Sequence, residues 1–409
     1  MTTQTRTAAE AGRSRASGVV VLLILGALVA LGPLSIDAYV PGLPRLAADL
    51  GSTASTAQLT VTACLIGLAV GQLVAGPMSD ALGRRGPLLA GVTVYTAAGL
   101  VCAIAPNIAL LIVFRGVQGI GGAFALVIAY ACVRDQYTGN AAARYFSLLL
   151  LVTGLAPILA PLLGAQILSL SGWRAIFLAL AVVSGAVLIV CVGALPESLP
   201  RQSRQPGGLR ATGSVYVRLL QDRSLLGYAL TNAFVFAAMF AYISGSPFVL
   251  EDIHGLSPRQ YSIVFAVNAL GLVAAAQASG RLVHRVDARL LLGAGVVGSA
   301  AGGVALLIVV ATNAGLWPLL VGFFIVVTSV GLVLPNAAAL GLENHGANAG
   351  AAAALLGFGQ YMLGGLAAPL AGIHASNGAL PTAIVIAGLG LTALITLATL
   401  LRSTPNRQT

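Results

Sequence analysis

The strongest constraint on this chain is a series of long apolar runs that recurs from one end of the sequence to the other. A run of about 20 apolar residues lets one α-helix cross the roughly 30 Å of hydrocarbon in a bilayer. Because lipid offers no partner to backbone N–H and C=O groups, each run is predicted to be a helix that satisfies its own backbone. We count twelve spans, and the sequence therefore predicts an all-α membrane protein. The spans are residues 19–41, 57–77, 86–105, 108–131, 144–168, 174–195, 224–248, 259–282, 288–310, 316–336, 348–373 and 379–401.

The arginines predict the orientation of these spans. All 21 basic residues are arginines, and with a cytoplasmic N-terminus seventeen of them fall in cytoplasmic segments and three outside. Cytoplasmic loops carry the excess of positive charge in membrane proteins, so the N- and C-termini are both predicted to be cytoplasmic. The net charge of +10 is thereby explained by topology, and no nucleic-acid partner is expected. Charged residues make up only 8% of the chain, against about 25% in soluble domains, which excludes a soluble globule.

The middle of the chain predicts a division into two six-helix bundles. Residues 196–223 are polar, contain Pro and Gly and hold five arginines, as expected of a cytoplasmic linker. A weak internal repeat places GPMSDALGRR (76–85) after span two and GRLVHRVDAR (280–289) after span eight. Transporters built from such parallel repeats bind their substrate between the two halves. The predicted organisation is a cytoplasmic tail at 1–18, a first bundle at 19–195, the linker at 196–223, a second bundle at 224–401 and a cytoplasmic tail at 402–409.

The segment after span two contains a spaced set of glycines and charges. It reads GPMSDALGRRGPLL at residues 76–89. Asp80 and Arg84 stand four residues apart, so on a continuing helix they share a face and can pair. Gly83 permits a tight turn, and Gly76 and Arg85 complete the set. An incidental acid in a basic cytoplasmic loop is the alternative interpretation.

Span four carries a polar stripe within LIVFRGVQGIGGA (111–123). Arg115, Gln118, Gly119 and Gly122 follow one another at steps of three, one and three on one helix face. The glycines allow a neighbouring helix to approach closely. Because an ionised side chain facing lipid is costly, Arg115 is predicted to face an internal cavity. The alternative is an arginine that extends to the lipid headgroups.

Span five contains GLAPILAPLLGAQ at residues 154–166. Gly154, Pro157, Pro161 and Gly164 keep spacings of three, four and three along one face. Prolines bend a helix and small residues let it pack closely, so span five is predicted to pack on span eight at residues 271–280.

Span one ends in an acidic, proline-containing stretch, GPLSIDAYVPGLP (32–44). Pro41 has no N–H to offer the carbonyl of Asp37, and Pro33 likewise frees the carbonyl of Val29. A buried carboxyl beside such a loosened backbone can take up and release a proton as access alternates between the two sides of the membrane. The alternative is a hydrated, structural Asp37 at the outer rim.

Taken together, these four patterns resemble the major facilitator superfamily, and within it the drug:proton antiporters of the bicyclomycin- and chloramphenicol-resistance type. The resemblance extends over nearly the whole chain. It implies the major facilitator fold, alternating access in the bacterial inner membrane and a monomer, and it associates the span-five motif with antiport. It also implies a conformational latch in which Asp80 meets a helix N-terminus of the other half and Asp135 meets Arg84, holding the outward-facing state.

The predicted coupling residues are Asp37, which carries the proton, and Arg115, which modulates its affinity. We expect the second half to place amides and aromatics in the cavity, because the only ionised residues of its predicted spans are arginines at the span ends. Such a cavity suits an uncharged amphiphilic ligand with ring systems. The candidate substrate contacts are Asp37, Tyr39, Arg115, Gln118, Asn232, Phe236, Phe240, Asn268 and Gln360.

The predicted function is proton-coupled efflux of a small amphiphilic drug, chloramphenicol-like or bicyclomycin-like. Export or uptake of a native metabolite by the same fold is the nearest alternative. A membrane enzyme would need a clustered His/Asp or Ser site, and the sequence offers no such pattern, no metal motif and no phosphate-binding loop. A transporter-like sensor would need a soluble signalling domain. We therefore expect no cofactor apart from protons as the coupling ion.

Overall fold

The computed structural model describes residues 21–204, 208–345, 348–373 and 378–400, and every regular element in these ranges is helical. Twelve of the helical segments are long and apolar enough to cross a membrane, which confirms the predicted number of spans. The predicted tails at 1–18 and 402–409 lie outside the described residues.

The first half contains seven helices. They are α1 (21–37), α2 (Leu43–Asp49), α3 (Ala54–Leu82), α4 (Arg85–Ala103), α5 (Ile108–Gln136), α6 (Gly139–Ser171) and α7 (Trp173–Ala194). α1 and α2 together form the first candidate span, Val21–Asp49, so span one extends beyond its predicted end at residue 41. A 3-10 turn at Val40–Gly42, with Pro41 in its first turn, joins the two helices.

The linker contains a helix that the sequence analysis did not predict, α8 (Gly208–Leu220). The second half follows as α9 (Arg223–Pro247), α10 (Pro258–Leu282), α11 (Ala288–Ala311), α12 (Leu316–Leu342), α13 (Ala349–Leu370) and α14 (Leu380–Leu400). A π-helical turn, Phe248–Ile253, continues α9, so that the seventh candidate span is Arg223–Ile253.

Each half packs mainly on itself. α5 packs against α3 and α4, and α4 against α7, whereas α9 packs against α12, α13 and α14 in the second half. The two most extensively packed helix pairs between the halves are α3 with α13 and α6 with α10. Because α6 carries the proline-containing motif and α10 holds residues 271–280, the second pair matches the predicted packing of span five on span eight.

The halves are held together at the end opposite the 82–85 loop. We call the end that holds this loop, which the arginines predict to be cytoplasmic, the inner end, and the opposite end the outer end. Near the outer end, Ser55 Oγ donates to the carbonyl of Pro369 at 3.1 Å and Thr62 Oγ1 to that of Gly365 at 2.8 Å. Gln58 Nε2 donates to the carbonyl of Ser244 at 3.0 Å. The described conformation is therefore closed at its outer end.

Candidate functional site

The candidate site is built around the interruption of span one. α1 ends at Asp37, a residue that is only 5% exposed. The chain then passes α6 so closely that a Cβ on Gly164 would collide with the backbone carbonyl of Ala38. A glycine at this position of α6 is therefore what allows the broken segment of span one to lie where it does.

Asp37 lies at the interface between the two halves of the molecule. The residue is buried, and the next residue, Ala38, passes against α6 of the first half. The 3-10 turn that follows Asp37 also contacts α9 and α10. Of the ion pairs found in the described ranges, none includes Asp37. The carboxyl is thus buried at the interface between the halves without a cationic partner.

Arg115 lies inside the first half. It is fully buried, and its Nη1 donates to Gln118 Oε1 at 2.6 Å. Its guanidinium carbon lies 4.6 Å from the ring centre of Tyr39 and 5.5 Å from that of Phe177. Cation–π contacts of this kind stabilise a desolvated arginine. Tyr39 is itself fixed by a 2.9 Å hydrogen bond between its hydroxyl and Thr60 Oγ1.

The structure therefore brings Tyr39, Arg115 and Gln118 together and keeps Arg115 from pairing with Asp37. In this conformation Arg115 is enclosed by aromatic rings and does not face an open cavity. The glycines of its stripe serve packing, since a Cβ on Gly119 would collide with the carbonyl of Cys64 on α3. A direct effect of Arg115 on the proton affinity of Asp37 stays a prediction that needs a different conformation.

The aromatic candidates of the second half form one cluster. The rings of Phe236 and Phe240 lie 4.9 Å apart, and Phe236 meets Tyr361 edge-on at 5.4 Å. Asn232 lies one turn earlier on α9, with a buried Oδ1 that has no hydrogen-bond partner among the described residues. An unpaired amide oxygen next to aromatic rings can accept a hydrogen bond from a ligand.

The remaining second-half candidates differ in their surroundings. Asn268 Nδ2 donates to the hydroxyl of Tyr242 at 2.8 Å, which joins α10 to α9. Gln360 is half-buried on α13. Asn336 of α12 is a further buried amide of this half, and its Nδ2 donates to Ser279 Oγ at 2.7 Å and so joins α12 to α10.

One expectation for the second half is wrong. Apart from arginines at the span ends, its spans were expected to hold no ionised residue, but the π-helical turn extends the seventh span to include Glu251 and Asp252. Glu251 Oε1 is buried without a hydrogen-bond partner among the described residues, and the nearby positive charge is that of Arg45. The signal was present in the sequence, since the apolar run continues through FVL directly up to Glu251.

The charged set at the inner end converges on Arg84. Its Nη1 lies 2.5 Å from Asp80 Oδ1 and its Nε 2.7 Å from Asp135 Oδ2. Burial opposes the guanidinium charge, but hydrogen bonds with Asp135 and Asp80 outweigh this and raise the pKa of Arg84. Gly83 adopts a φ of +98° at the end of α3, the left-handed conformation that glycine tolerates. Gly76 accepts a 2.9 Å hydrogen bond from Ser79 through its carbonyl.

All three charges of this cluster lie in the first half. No hydrogen bond of the described residues joins Asp80 to α13, whose first turn begins at Ala349. The cluster is assembled while the outer end is closed. A role in holding the outward-facing state therefore stays a prediction.

Sequence reasoning missed Glu197, the residue that attaches the linker to this cluster. Its Oε1 accepts hydrogen bonds from the backbone N–H groups of Arg84 and Leu199, at 2.8 and 3.0 Å. Its Oε2 accepts from the N–H of Arg85 at 3.3 Å and lies 3.6 Å from Arg204 Nη2. Glu197 thus caps the N-terminus of α4 from a distant part of the chain. In addition, Arg85 Nη2 donates to the carbonyl of Val192 at 2.6 Å. The only sequence signal for Glu197 was its position in PES (196–198), directly after predicted span six.

The proline motif of α6 faces α10 as well as span one. Gly154 lies opposite Val273 of α10, and the carbonyl of Pro161 accepts a 3.0 Å hydrogen bond from Ser262 Oγ. Pro157 and Pro161 both lie inside the helix. The motif therefore supports one of the two most extensively packed helix pairs between the halves and, through Gly164, the broken segment of span one.

Comparison with known proteins gives consistent matches over most of the chain. The family model described as Major Facilitator Superfamily matches residues 23–369. The Bacillus subtilis protein YdgK, described as an uncharacterized MFS-type transporter, is 39% identical over 86% of this chain and 88% of its own length. A bicyclomycin resistance protein homolog from Haemophilus influenzae is 29% identical over the same shares of both chains. The multidrug resistance protein MdtL of Shigella flexneri is 30% identical over 59% of this chain and 61% of its own.

Solved structures with the same fold are more distant in sequence. A D-xylose-proton symporter superposes with a TM-score of 0.72 at 17% identity, over 93% of this chain and 96% of its own. A bacterial homolog of the human lysosomal transporter Spinster, in an inward-facing conformation, superposes with a TM-score of 0.67, also at 17% identity, over 93% of this chain and 94% of its own. At this level of identity the likeness concerns the fold alone.

Proposed function

The chain belongs to the Major Facilitator Superfamily, a family of membrane transporters, and from that membership we propose that it exports small amphiphilic drugs in exchange for protons. Its twelve candidate spans and its family make it a transporter of small molecules and not an enzyme. Two relatives that carry bicyclomycin resistance or multidrug resistance in their names support a drug as the substrate. Chloramphenicol-like and bicyclomycin-like compounds are the first candidates.

The observation that carries the proposal is the position of Asp37. A carboxyl buried between the halves without a cation favours its protonated form, because an unpaired charge is costly to desolvate. Opening either side of the molecule hydrates the carboxyl and favours release of the proton. The turn that follows Asp37 contacts α9 and α10, which carry aromatic and amide candidates, and we propose that proton and substrate share this region.

The proposal is tested by transport into inverted membrane vesicles under an imposed pH gradient, with chloramphenicol and bicyclomycin as substrates. We expect the wild type to accumulate drug only with the gradient, and Asp37→Asn to lose gradient-driven accumulation while Asp37→Glu retains part of it. Asp49→Asn is the matched control, since Asp49 is an exposed acid of the same span that accepts a 3.0 Å hydrogen bond from Trp173.

Full gradient-driven transport by Asp37→Asn would show that the proton is carried elsewhere, with Glu251 as the next residue to test. If the wild type transports neither drug under any gradient, export of a drug is wrong. The native metabolites considered in the sequence analysis would then be the substrates to screen.

A further inference from the structure

An apolar groove lies apart from the candidate transport site, at the inner end of the molecule. Its volume is about 390 Å³, within the range that holds small ligands. Its walls come from both halves, with Leu73 of α3 on one side and Leu226 and Leu230 of α9 on the other. Leu355 and Met362 of α13 also line the groove, and the linker helix α8 contributes Tyr216.

The groove opens towards the lipid-facing surface. Most of its lining side chains are half-buried, as expected of a groove that remains partly open. Val70, one turn before Leu73 on α3, is 42% exposed, and Leu366, one turn after Met362 on α13, is 51% exposed. Because exposed apolar side chains on helices long enough to span a membrane face lipid, α3 and α13 border the bilayer next to the groove.

α8 gives the groove a polar and positively charged rim. The helix is fixed to α3 by a 3.5 Å hydrogen bond from the Tyr216 hydroxyl to the carbonyl of Leu73. Arg218, near the end of α8, and Arg223, at the start of α9, are both exposed. Arg218 directly precedes the groove-lining Leu219, and Arg223 lies two residues before the groove-lining Leu225. The ion pairs of arginines in the described ranges involve Arg84 and Arg204.

The acid between the two rim arginines is already engaged. Asp222 Oδ1 caps α9 by accepting from the N–H groups of Ser224 and Leu225, at 2.8 and 3.1 Å, and its Oδ2 lies 3.3 Å from His345 Nε2. Arg218 and Arg223 are therefore available to an anion at the membrane surface, where each basic side chain attracts anionic lipid.

We propose that this groove binds one acyl chain of an anionic phospholipid from the inner-end leaflet, with the lipid phosphate held by Arg218 and Arg223. The apolar walls fit the chain and the two guanidinium groups fit the phosphate. Because the walls come from α3 and from α9 and α13, a lipid in the groove contacts both halves at once. Occupancy then favours the conformation in which these helices stand as they do here. This inference does not depend on the identity of the transported compound.

The test is native mass spectrometry of the purified full-length protein, titrated with phosphatidylglycerol or with phosphatidylcholine of the same chain length. We expect one phosphatidylglycerol to be retained when other lipids are stripped, in preference to phosphatidylcholine. Ala229 of α9 also lines the groove. Ala229→Phe places a ring in the groove and should weaken this binding by about tenfold or more. Arg218→Gln and Arg223→Gln should each weaken it by about fivefold and reduce the preference for phosphatidylglycerol.

Two controls match these variants. Leu366→Phe adds the same ring to lipid-facing α13 outside the groove, and Arg281→Gln removes an exposed inner-end arginine from α10. Both should bind phosphatidylglycerol as the wild type does, and glycerol 3-phosphate alone should not bind.

Three results would overturn the proposal. One is wild-type lipid binding by Ala229→Phe, and another is equal retention of the two lipids with no effect of the arginine substitutions. The third is a dimer that Ala229→Phe dissociates, because a second copy of the chain would then be the occupant of the groove.

Discussion

At the scale of single residues, glycines decide how closely the helices around Asp37 can approach. Gly164 leaves room for the backbone carbonyl of Ala38, directly after Asp37, and Gly119 leaves room for the carbonyl of Cys64. In both cases the neighbour is backbone, which cannot move aside as a flexible side chain can. The spacing of glycines in spans four and five thus has a direct packing cause.

Gly164→Ala should displace α6 from the broken segment of span one. Overpacking of this kind costs about 1–3 kcal/mol, and we expect a lower midpoint of thermal unfolding in detergent together with loss of gradient-driven transport. Gly193→Ala in α7 is the control, because a Cβ there meets nothing within 4 Å. Equal stability and transport in the two variants would show that the close approach of α6 to Ala38 is needed for neither.

Glu197 makes the stability of the inner end depend on pH. Burial alone would raise the pKa of its carboxyl, but hydrogen bonds from the N–H groups of Leu199, Arg84 and Arg85 and the charge of Arg204 outweigh this and hold the pKa below its usual 4.5. Because the folded-state pKa is lower than the unfolded one, the carboxylate stabilises the fold above pH 4.5, and this contribution is lost as the pH falls through the folded-state pKa.

Glu197→Gln should therefore destabilise the protein by about 1 kcal/mol at neutral pH, the typical value of a helix cap. The difference from the wild type should shrink as the pH falls below 4.5, measured by thermal unfolding in detergent. Glu343→Gln, an exposed acid at the end of α12, serves as the control and should leave the profile unchanged. A Glu197→Gln profile parallel to that of the wild type at all pH values would contradict the capping role.

At the scale of elements, one arginine connects several helix ends. Arg84 stands between α3 and α4, pairs with Asp80 of α3 and reaches Asp135 at the end of α5. Its backbone N–H is bound by Glu197, so the linker is fastened at the same point. Interactions spread over four segments fix the inner end of the first half as one unit.

Arg84→Gln should loosen this unit. Removing one member of a buried ion pair leaves the other charge unpaired, and we expect a loss of roughly 2–3 kcal/mol, less than for a fully enclosed pair because Asp80 remains half-exposed. Asp135→Asn in the same chain should recover part of the loss, because the unpaired charge is then gone. The measurement is thermal unfolding of the single and double variants. Additive losses would show that Arg84 and Asp135 do not stabilise each other.

At the scale of the whole molecule, hydrogen bonds across the outer end keep the two halves together. Ser55, Gln58 and Thr62 of α3 bond to backbone carbonyls of α9 and α13. Alternating access requires these contacts to separate when the outer end opens, while the inner end closes.

A cross-link between Ser55→Cys and Pro369→Cys should therefore stop transport. Ser55 Oγ lies 3.1 Å from the Pro369 carbonyl, so α3 and α13 are adjacent at this point, and a disulfide forms where the two Cα atoms lie within about 7 Å of each other. We expect oxidation to abolish gradient-driven drug transport and a reductant to restore it. The four native cysteines are buried and form no disulfide. The controls are the two single-cysteine variants, Ser55→Cys and Pro369→Cys, oxidised in the same way. Full transport by the oxidised double variant would mean that the outer end does not need to open here.

How much the sequence revealed differs between the fold and the site. The twelve spans follow from hydropathy and length, because lipid leaves helices as the only way to satisfy the backbone. The possible pairing of Asp80 with Arg84 follows from their helical spacing. The end of span seven was misplaced, because a π-helical turn continues the helix through Pro247 and includes Glu251.

The sequence alone determined the helical class, the number of spans and the glycine and proline positions, since these depend on local chemistry and on the bilayer as solvent. Only the tertiary structure decided the partners of the buried charges. Arg115 lies against Tyr39 and Phe177 and makes no ion pair with Asp37, which is buried directly before a turn that contacts the other half. Glu197 caps a helix whose first residue, Arg85, lies 112 positions earlier in the chain. Such contacts depend on how distant helices pack, and no periodicity within a single span records that packing.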